Sequence, residues 1–195
     1  MKLGKKCFYD CENLTKIDIS NVEELGDECF VWCSNLTYII IPTNITKIGD
    51  ECFSWCEKLS NIIIPTSITK INDRCFNGCS NLTHINIPTS INEIGKSCFY
   101  GCLNLTHINI PTSVTKIGER CFYNCSNLKN INIPLNVKKV GDCCFYNCSN
   151  LSSIIVEALA QPKSFSERKL IPEYITKINK TCFYNCPNLN INIFK

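Results

Sequence analysis

The sequence predicts an α/β solenoid in which short strands and single short helical turns recur about eight times along one domain, residues 1–195. Three observations predict it. Cys-Phe pairs begin at Cys7, Cys29, Cys52, Cys75, Cys98, Cys121, Cys144 and Cys182, in one step of 22, five of 23 and a last one of 38. Apolar and polar residues alternate at one fixed place in each unit, the mark of a strand with one buried face. A unit of this length cannot bury its own apolar side chains, whereas copies stacked on one another bury a continuous core.

The unit from Leu105, "LTHINIPTSVTKIGERCFYNCSN", shows each element in turn. Leu105, Ile108 and Ile110 point inward along the first strand, and Pro111, without a backbone donor, ends it. "PTS" is turn chemistry. Val114 and Ile117 are the next inward positions, so "SVTKI" is expected to form a second short strand on another side of the coil. Gly118 follows, with Gly4, Gly26, Gly49, Gly95 and Gly141 as equivalents and Asn72 and Asn179 in two units. Gly-or-Asn predicts a backbone with φ > 0 there. "ERCFYNC" fits a short helical or 3-10 turn, with Cys121 and Cys125 four apart on one face. Phe8, Phe30, Phe53, Phe76, Phe99, Phe122, Phe145 and Phe183 are expected to stack in one internal column. Residues 157–171, "EALAQPKSFSERKLI", interrupt the last full repeat and account for the longer final step.

The recurring pattern L-x-x-I-x-I-P-x-S-[VI]-x-x-I-G-x-x-[AC]-F-x-x-C-x-x-L resembles the BspA-like leucine-rich repeats over nearly the whole chain, with Cys standing where that family usually has Ala. The resemblance implies a right-handed leucine-rich-repeat solenoid with a parallel β-sheet on its concave face. It also implies a binding protein, with surface adhesion as a known role of members.

The chain has 17 cysteines and a net charge of +3. Paired cysteines at i and i+4 on a helix have Cβ atoms about 5–6 Å apart, beyond the roughly 3.5–4.5 Å of a disulfide. Thiolates of neighbouring coils, such as Cys75, Cys79, Cys98 and Cys102, have spacing that zinc accepts, and this leaves a thiol-rich metal-binding protein as one alternative. Burial as small hydrophobes is the reading the repeat favours, with no metal and no cofactor expected. Cys143 is the odd cysteine. Its equivalents are Lys6, Glu28, Glu51, Arg74, Ser97, Arg120 and Thr181, so it is expected to be the exposed thiol.

The outward strand positions form two ladders. One runs Lys16, Tyr38, Asn61, His84, His107, Asn130 and Ser153; the other runs Asp18, Ile40, Ile63, Asn86, Asn109, Asn132 and Ile155. Tyr38, Ile40, Asn61, Ile63, His84, Asn86, His107, Asn109, Asn130 and Asn132, with Phe165 in the insertion, are therefore the ligand-facing candidates. Asn86, Asn109 and Asn132 are also spaced to hydrogen-bond one another. Lys47, Lys70, Lys116, Lys139 and Lys177 share one position, with Glu93 interrupting; the column reads as a solvated face that could also steer an acidic partner.

No Gly-rich phosphate loop, acid–base pair or Cys-His pair is legible, so the chain is not expected to be an enzyme. The small charge and the lack of interleaved aromatics argue against nucleic acid. No apolar run reaches the roughly 18 residues of a membrane span, and the first residues lack the apolar core of a secretory signal. The expectation is a non-enzymatic scaffold that binds a protein or peptide, in the cytoplasm because free cysteines suit a reducing compartment. A cell-surface adhesin reached by a non-standard route is the alternative. The exposed strand "NLNINIF" at the end adds end-to-end self-association as a further expectation.

Overall fold

The computed structural model describes residues 1–157 and 180–189. These build a β-solenoid of about seven turns. On one side, β1 (Lys2–Leu3), β2 (Glu24–Leu25) and β3 (Lys47–Ile48) form a parallel three-stranded sheet, and β4 (Lys70–Ile71), β5 (Glu93–Ile94), β7 (Lys116–Ile117) and β9 (Lys139–Val140) form a parallel four-stranded one. On another side, β6 (His107–Asn109), β8 (Asn130–Pro134) and β10 (Ser153–Glu157) pair in parallel, and single bridges Tyr38↔Asn61, Ile63↔Asn86 and Asn86↔Asn109 continue the ladder through earlier coils. Each residue pairs with its equivalent one unit away, as in Ile108↔Ile131 and Lys70↔Glu93.

The Leu, Ile, Val and Phe positions of the repeat form one continuous buried core. The Phe column is present: rings of successive coils stack at 5.2–5.8 Å within 9° of parallel, from Phe8 to Phe183. The pair Phe145–Phe183 bridges the 157–171 insertion, so the Cys-Phe turn after it rejoins the stack.

The helical expectation at the Cys-Phe-x-x-Cys segments needs correction. Among the described residues there is no α-helix and one 3-10 turn, Lys180–Phe183. The cause is two left-handed residues in each of the first seven units, one before each cysteine; Thr181, before Cys182, is not left-handed, and there the 3-10 turn forms. Lys6, Glu28, Glu51, Arg74, Ser97, Arg120 and Cys143 hold φ of 50–60°, and Asp10, Trp32, Trp55, Asn124, Asn147 and Asn185 hold 57–62°, with Gly78 and Gly101 at the same place. A left-handed residue ends a right-handed helix. It also swings its N–H along the solenoid axis: in the second coil Glu28, Phe30 and Trp32 donate to Asp50, Cys52 and Ser54 carbonyls of the next coil at 2.8, 2.8 and 3.0 Å. The segment is a hydrogen-bonded arc that joins coils.

The glycine column is a second correction. Gly26, Gly49, Gly95, Gly118 and Gly141 are not in the left-handed region. Glycine is required because the coils touch there. A Cβ on Gly118 would lie 2.5 Å from Gly95 C and O and from Lys96 N, all backbone atoms. At Gly4 nothing lies within 4 Å. Each crowded glycine donates its N–H to the preceding coil, as Gly118 does to Ile94 O at 2.9 Å. Asn72 carries a Cβ and cannot approach as closely. Its Nδ2 donates to Ile48 O at 2.6 Å in place of that main-chain bond. The lysine-side sheet breaks at this unit, between β3 and β4, and a small void lined by Ile48, Ile64, Ile68 and Ile71 opens beside Asn72.

Candidate functional site

The role of the thiols decides what chemistry is left to the other side chains. All 17 are free. The second cysteine of each pair donates its S–H to the Phe carbonyl of the preceding coil: Cys33 to Phe8, Cys56 to Phe30, Cys79 to Phe53, Cys102 to Phe76, Cys125 to Phe99 and Cys148 to Phe122, at 3.0–3.2 Å. These thiols are therefore more than hydrophobic filler; they bond coil to coil. Burial pushes the Cys29, Cys33 and Cys75 thiols up to about 12 and Cys52, Cys56, Cys79, Cys98, Cys125 and Cys144 well above the ordinary range. Such groups stay protonated and unreactive at neutral pH. Among the described residues no group of three or more His, Cys, Asp or Glu side chains is placed to hold a metal ion. The exposed thiol is corrected too: Cys143 is half-buried, and Cys7 is the exposed one.

The strand face holds the sequence-predicted residues in register. Tyr38, Ile40, Asn61, Ile63, His84, Asn86, His107, Asn109 and Asn130 are exposed, and Asn132 is half-buried. Phe165 lies outside the described residues, as does most of the insertion. His84 and His107 stack at 6.4 Å, each with its Nδ1 against the hydroxyl of the preceding Thr, Thr83 at 3.1 Å and Thr106 at 3.0 Å. Asn side chains bond one another on other edges of the coil: Asn104 to Asn81, Asn127 to Asn104 and Asn150 to Asn127, at 3.1–3.3 Å.

Tyr38, Ile40 and Ile63 form the apolar part of the face, at 51%, 75% and 71% exposure, where an alternating strand would ordinarily place polar groups. Beside them a cleft of about 650 Å³ opens between the first two coils, lined by Lys16, Ile17, Asp18, Ile19, Ser20, Tyr38, Ile40, Pro42, Thr43 and Asn44. Its origin is the short first step. "DISNVEEL" has one residue fewer than "IIPTNITKI" between the strand and the crowded glycine, and the turn closes by Val22 N–H to Ile19 O instead of the later Ile45 N–H to Pro42 O. The first coil's rim thus stops short of the second coil's Pro42–Asn44. Asp18 accepts the Ser20 N–H at 2.9 Å, and this bond holds its carboxyl below the ordinary range, so it is ionised at neutral pH. The site offers one ammonium, one carboxylate, one phenol and apolar walls. These groups can hold a ligand by charge, hydrogen bonds and apolar contact. The 22-residue first step was the sequence signal for this cleft.

Stacked aromatics on the Cys-Phe arc are a feature that strand reasoning did not find. Tyr100, Tyr123, Tyr146 and Tyr184 stack at 4.6–5.0 Å, and Trp32 on Trp55 at 4.8 Å. No helix among the described residues is long and apolar enough to cross a membrane.

The BspA type leucine rich repeat region matches the chain in six copies, over residues 1–117, 46–170 and 92–195. Among solved structures, the T. pallidum leucine rich repeat protein TpLRR is 31% identical with a TM-score of 0.67, covering 74% of this chain and 68% of that one. A leucine-rich repeat protein from Bacteroides ovatus ATCC 8483 is 23% identical with a TM-score of 0.57, covering 97% and 69%. The pneumococcal vaccine antigen PcpA is 19% identical with a TM-score of 0.61, covering 96% of this chain and 42% of that one. The last two likenesses are of fold alone. No curated protein matches the chain in sequence.

Proposed function

The chain belongs to the BspA type leucine-rich repeat family, and on that premise we propose that it is a non-enzymatic scaffold whose strand face holds a protein or peptide. One observation carries this reading: Tyr38, Ile40 and Ile63 stand exposed together beside the cleft of the first two coils. Apolar side chains cost solubility when left in water, and an exposed group of them rimmed by polar residues marks a docking site. The polar ladder from Asn61 to Asn132 continues that surface with side chains that hydrogen-bond an extended partner. Phe165 and the 157–171 insertion are proposed as a second binding element. The reduced, buried thiols favour a reducing compartment, so the partner is proposed to be cytoplasmic; labelling of intact against permeabilised cells separates this from a surface adhesin.

The test is a pull-down comparing the wild-type chain with Tyr38→Ala/Ile63→Ala and with a deletion of 157–171. Truncating a central anchor typically weakens binding by 1 kcal/mol or more. Loss of partner in the double variant supports the strand face, and loss only in the deletion assigns binding to the insertion. Unchanged binding in both would sink the proposal.

A further inference from the structure

A second binding place lies on the lysine side, away from the strand face. The residue after Gly26, Gly49 and Asn72 is Asp27, Asp50 and Asp73, in three successive coils. Each carboxylate accepts the main-chain N–H of its equivalent one coil on: Asp50 N–H to Asp27 Oδ1 at 3.1 Å, Asp73 N–H to Asp50 Oδ1 at 3.1 Å, and Lys96 N–H to Asp73 Oδ1 at 2.8 Å. The ladder stops at Lys96, which has no carboxylate to offer. Among the described residues the next N–H in line, that of Glu119, has no side-chain acceptor. Nor has that of Asp142, because Glu119, one methylene longer than Asp, does not cap it.

A cleft of about 330 Å³ opens at this point, with Lys96, Lys116, Lys139, Glu119 and Asp142 in its walls. Glu93 and Asp73 line it as well, but both carboxylates are engaged. Glu93 lies between Lys116 at 2.6 Å and Lys70 at 3.7 Å, and Asp73 accepts the Lys96 N–H. Lys96 and Lys139 have no ion pair among the described residues. Of the two other carboxylates in the walls, Glu119 lies 3.5 Å from Arg120, and Asp142 leaves the cleft without a net negative charge. Open N–H donors beside ammonium groups that have no ion pair are what a carboxylate needs, and hydrogen bonds to an ionised acceptor are about twice as strong as neutral ones. The coils before this point display the bound form three times, with the protein's own carboxylates.

We propose that this cleft binds a carboxylate of an acidic peptide, seated on the Glu119 and Asp142 N–H groups where the aspartate ladder is interrupted, with Lys96 and Lys139 balancing its charge. The site is independent of the strand-face proposal, so Tyr38→Ala/Ile63→Ala leaves it intact.

A hexaglutamate peptide is the probe, titrated at low ionic strength into ¹⁵N-labelled full-length chain. The Glu119 and Asp142 amide resonances are expected to move downfield together and saturably. Lys96→Asp supplies the missing carboxylate from within. It is expected to move the Glu119 amide downfield without peptide, to raise Tm, and to weaken hexaglutamate binding by about tenfold or more. Lys96→Glu makes the same charge change without the capping geometry, as Glu119 shows, and is expected to weaken binding less and leave the free Glu119 amide unmoved. Two results would overturn the proposal. One is equal weakening by Lys96→Asp and Lys96→Glu, which reduces the effect to charge. The other is peptide binding that leaves the Glu119 and Asp142 amides in place.

Discussion

Raising the pH should unfold this protein earlier than an ordinary repeat scaffold, because its core is lined with thiols. Nine of them, Cys52, Cys56, Cys75, Cys79, Cys98, Cys102, Cys121, Cys125 and Cys144, are buried, and burial raises every one above its reference value of 9.0. Below that reference both folded and unfolded thiols are protonated, and stability is complete. Above it the unfolded chain loses protons that the folded chain keeps, so stability falls as pH climbs beyond about 9 toward the raised folded values. At about pH 9.5 each such thiol costs roughly 0.8 kcal/mol, and the nine together about 8 kcal/mol, a figure inside the whole 5–15 kcal/mol that holds a typical domain folded. Unfolding is therefore expected between about pH 9 and 10. The assay follows far-UV circular dichroism and thiolate absorbance near 240 nm together, in reducing, metal-free buffer. Thiolate should appear in step with loss of structure. Thiolate from most of the cysteines while the dichroism is still native would refute the burial argument.

Gly118→Ala forces a Cβ against three backbone atoms at 2.5 Å and is expected to cost about 2–3 kcal/mol, as overpacking does. In a chain of this length that lowers Tm by roughly 4–12 °C. Gly4→Ala meets nothing and is expected to be neutral or stabilising by up to about 1 kcal/mol; equal damage at both positions would mean that conformation rather than crowding selects glycine. Asn72→Gly removes the wedge between β3 and β4 and should let the lysine-side sheet run on. The Thr69 amide would then exchange more slowly, with a gain of about 1 kcal/mol. Cys125→Ala removes a coil-to-coil S–H bond at 3.0 Å and a buried sulfur, for a loss of about 1–2 kcal/mol in denaturant melts. Cys7→Ala, at an exposed position, should be silent there and should abolish the fastest step of thiol labelling in the native protein.

Much of this architecture was legible because a repeat prints its contacts as a period. The Phe column, the buried Leu and Ile positions and the exposed strand ladders follow from the 23-residue step together with strand alternation, and the structure holds them in register. Interactions between coils were harder to read, since one unit does not reveal what its neighbour needs. Gly-or-Asn at position 118 suggested a left-handed residue, whereas the cause is main chain one coil away. The true left-handed places divide in legibility. The one before the second cysteine carries Asn124, Asn147, Asn185, Gly78 and Gly101, residue types that signal it, but Trp32 and Trp55 mask the signal. The one before the first cysteine carries Lys, Glu, Arg, Ser or Cys and gives none. Cys125 looked like filler because its carbonyl partner, Phe99, lies 26 residues back. Cys143 looked exposed because its equivalents are polar, yet Glu28, Glu51 and Ser97 at that place are half-buried as it is, and only the longer Lys6, Arg74 and Arg120 among those seven extend into water, with Thr181.

The measurement closest to the central claim is a methyl NMR titration with a peptide selected against the protein from a random library. Isoleucine δ1 methyls report the strand face residue by residue, and Ile40, Ile63 and Ile155 are its exposed members. The account predicts that the Ile40 and Ile63 methyls shift and saturate with the peptide, that Ile155 follows weakly or not at all, and that Tyr38→Ala/Ile63→Ala abolishes the effect. Tight binding that leaves Ile40 and Ile63 unmoved would contradict it.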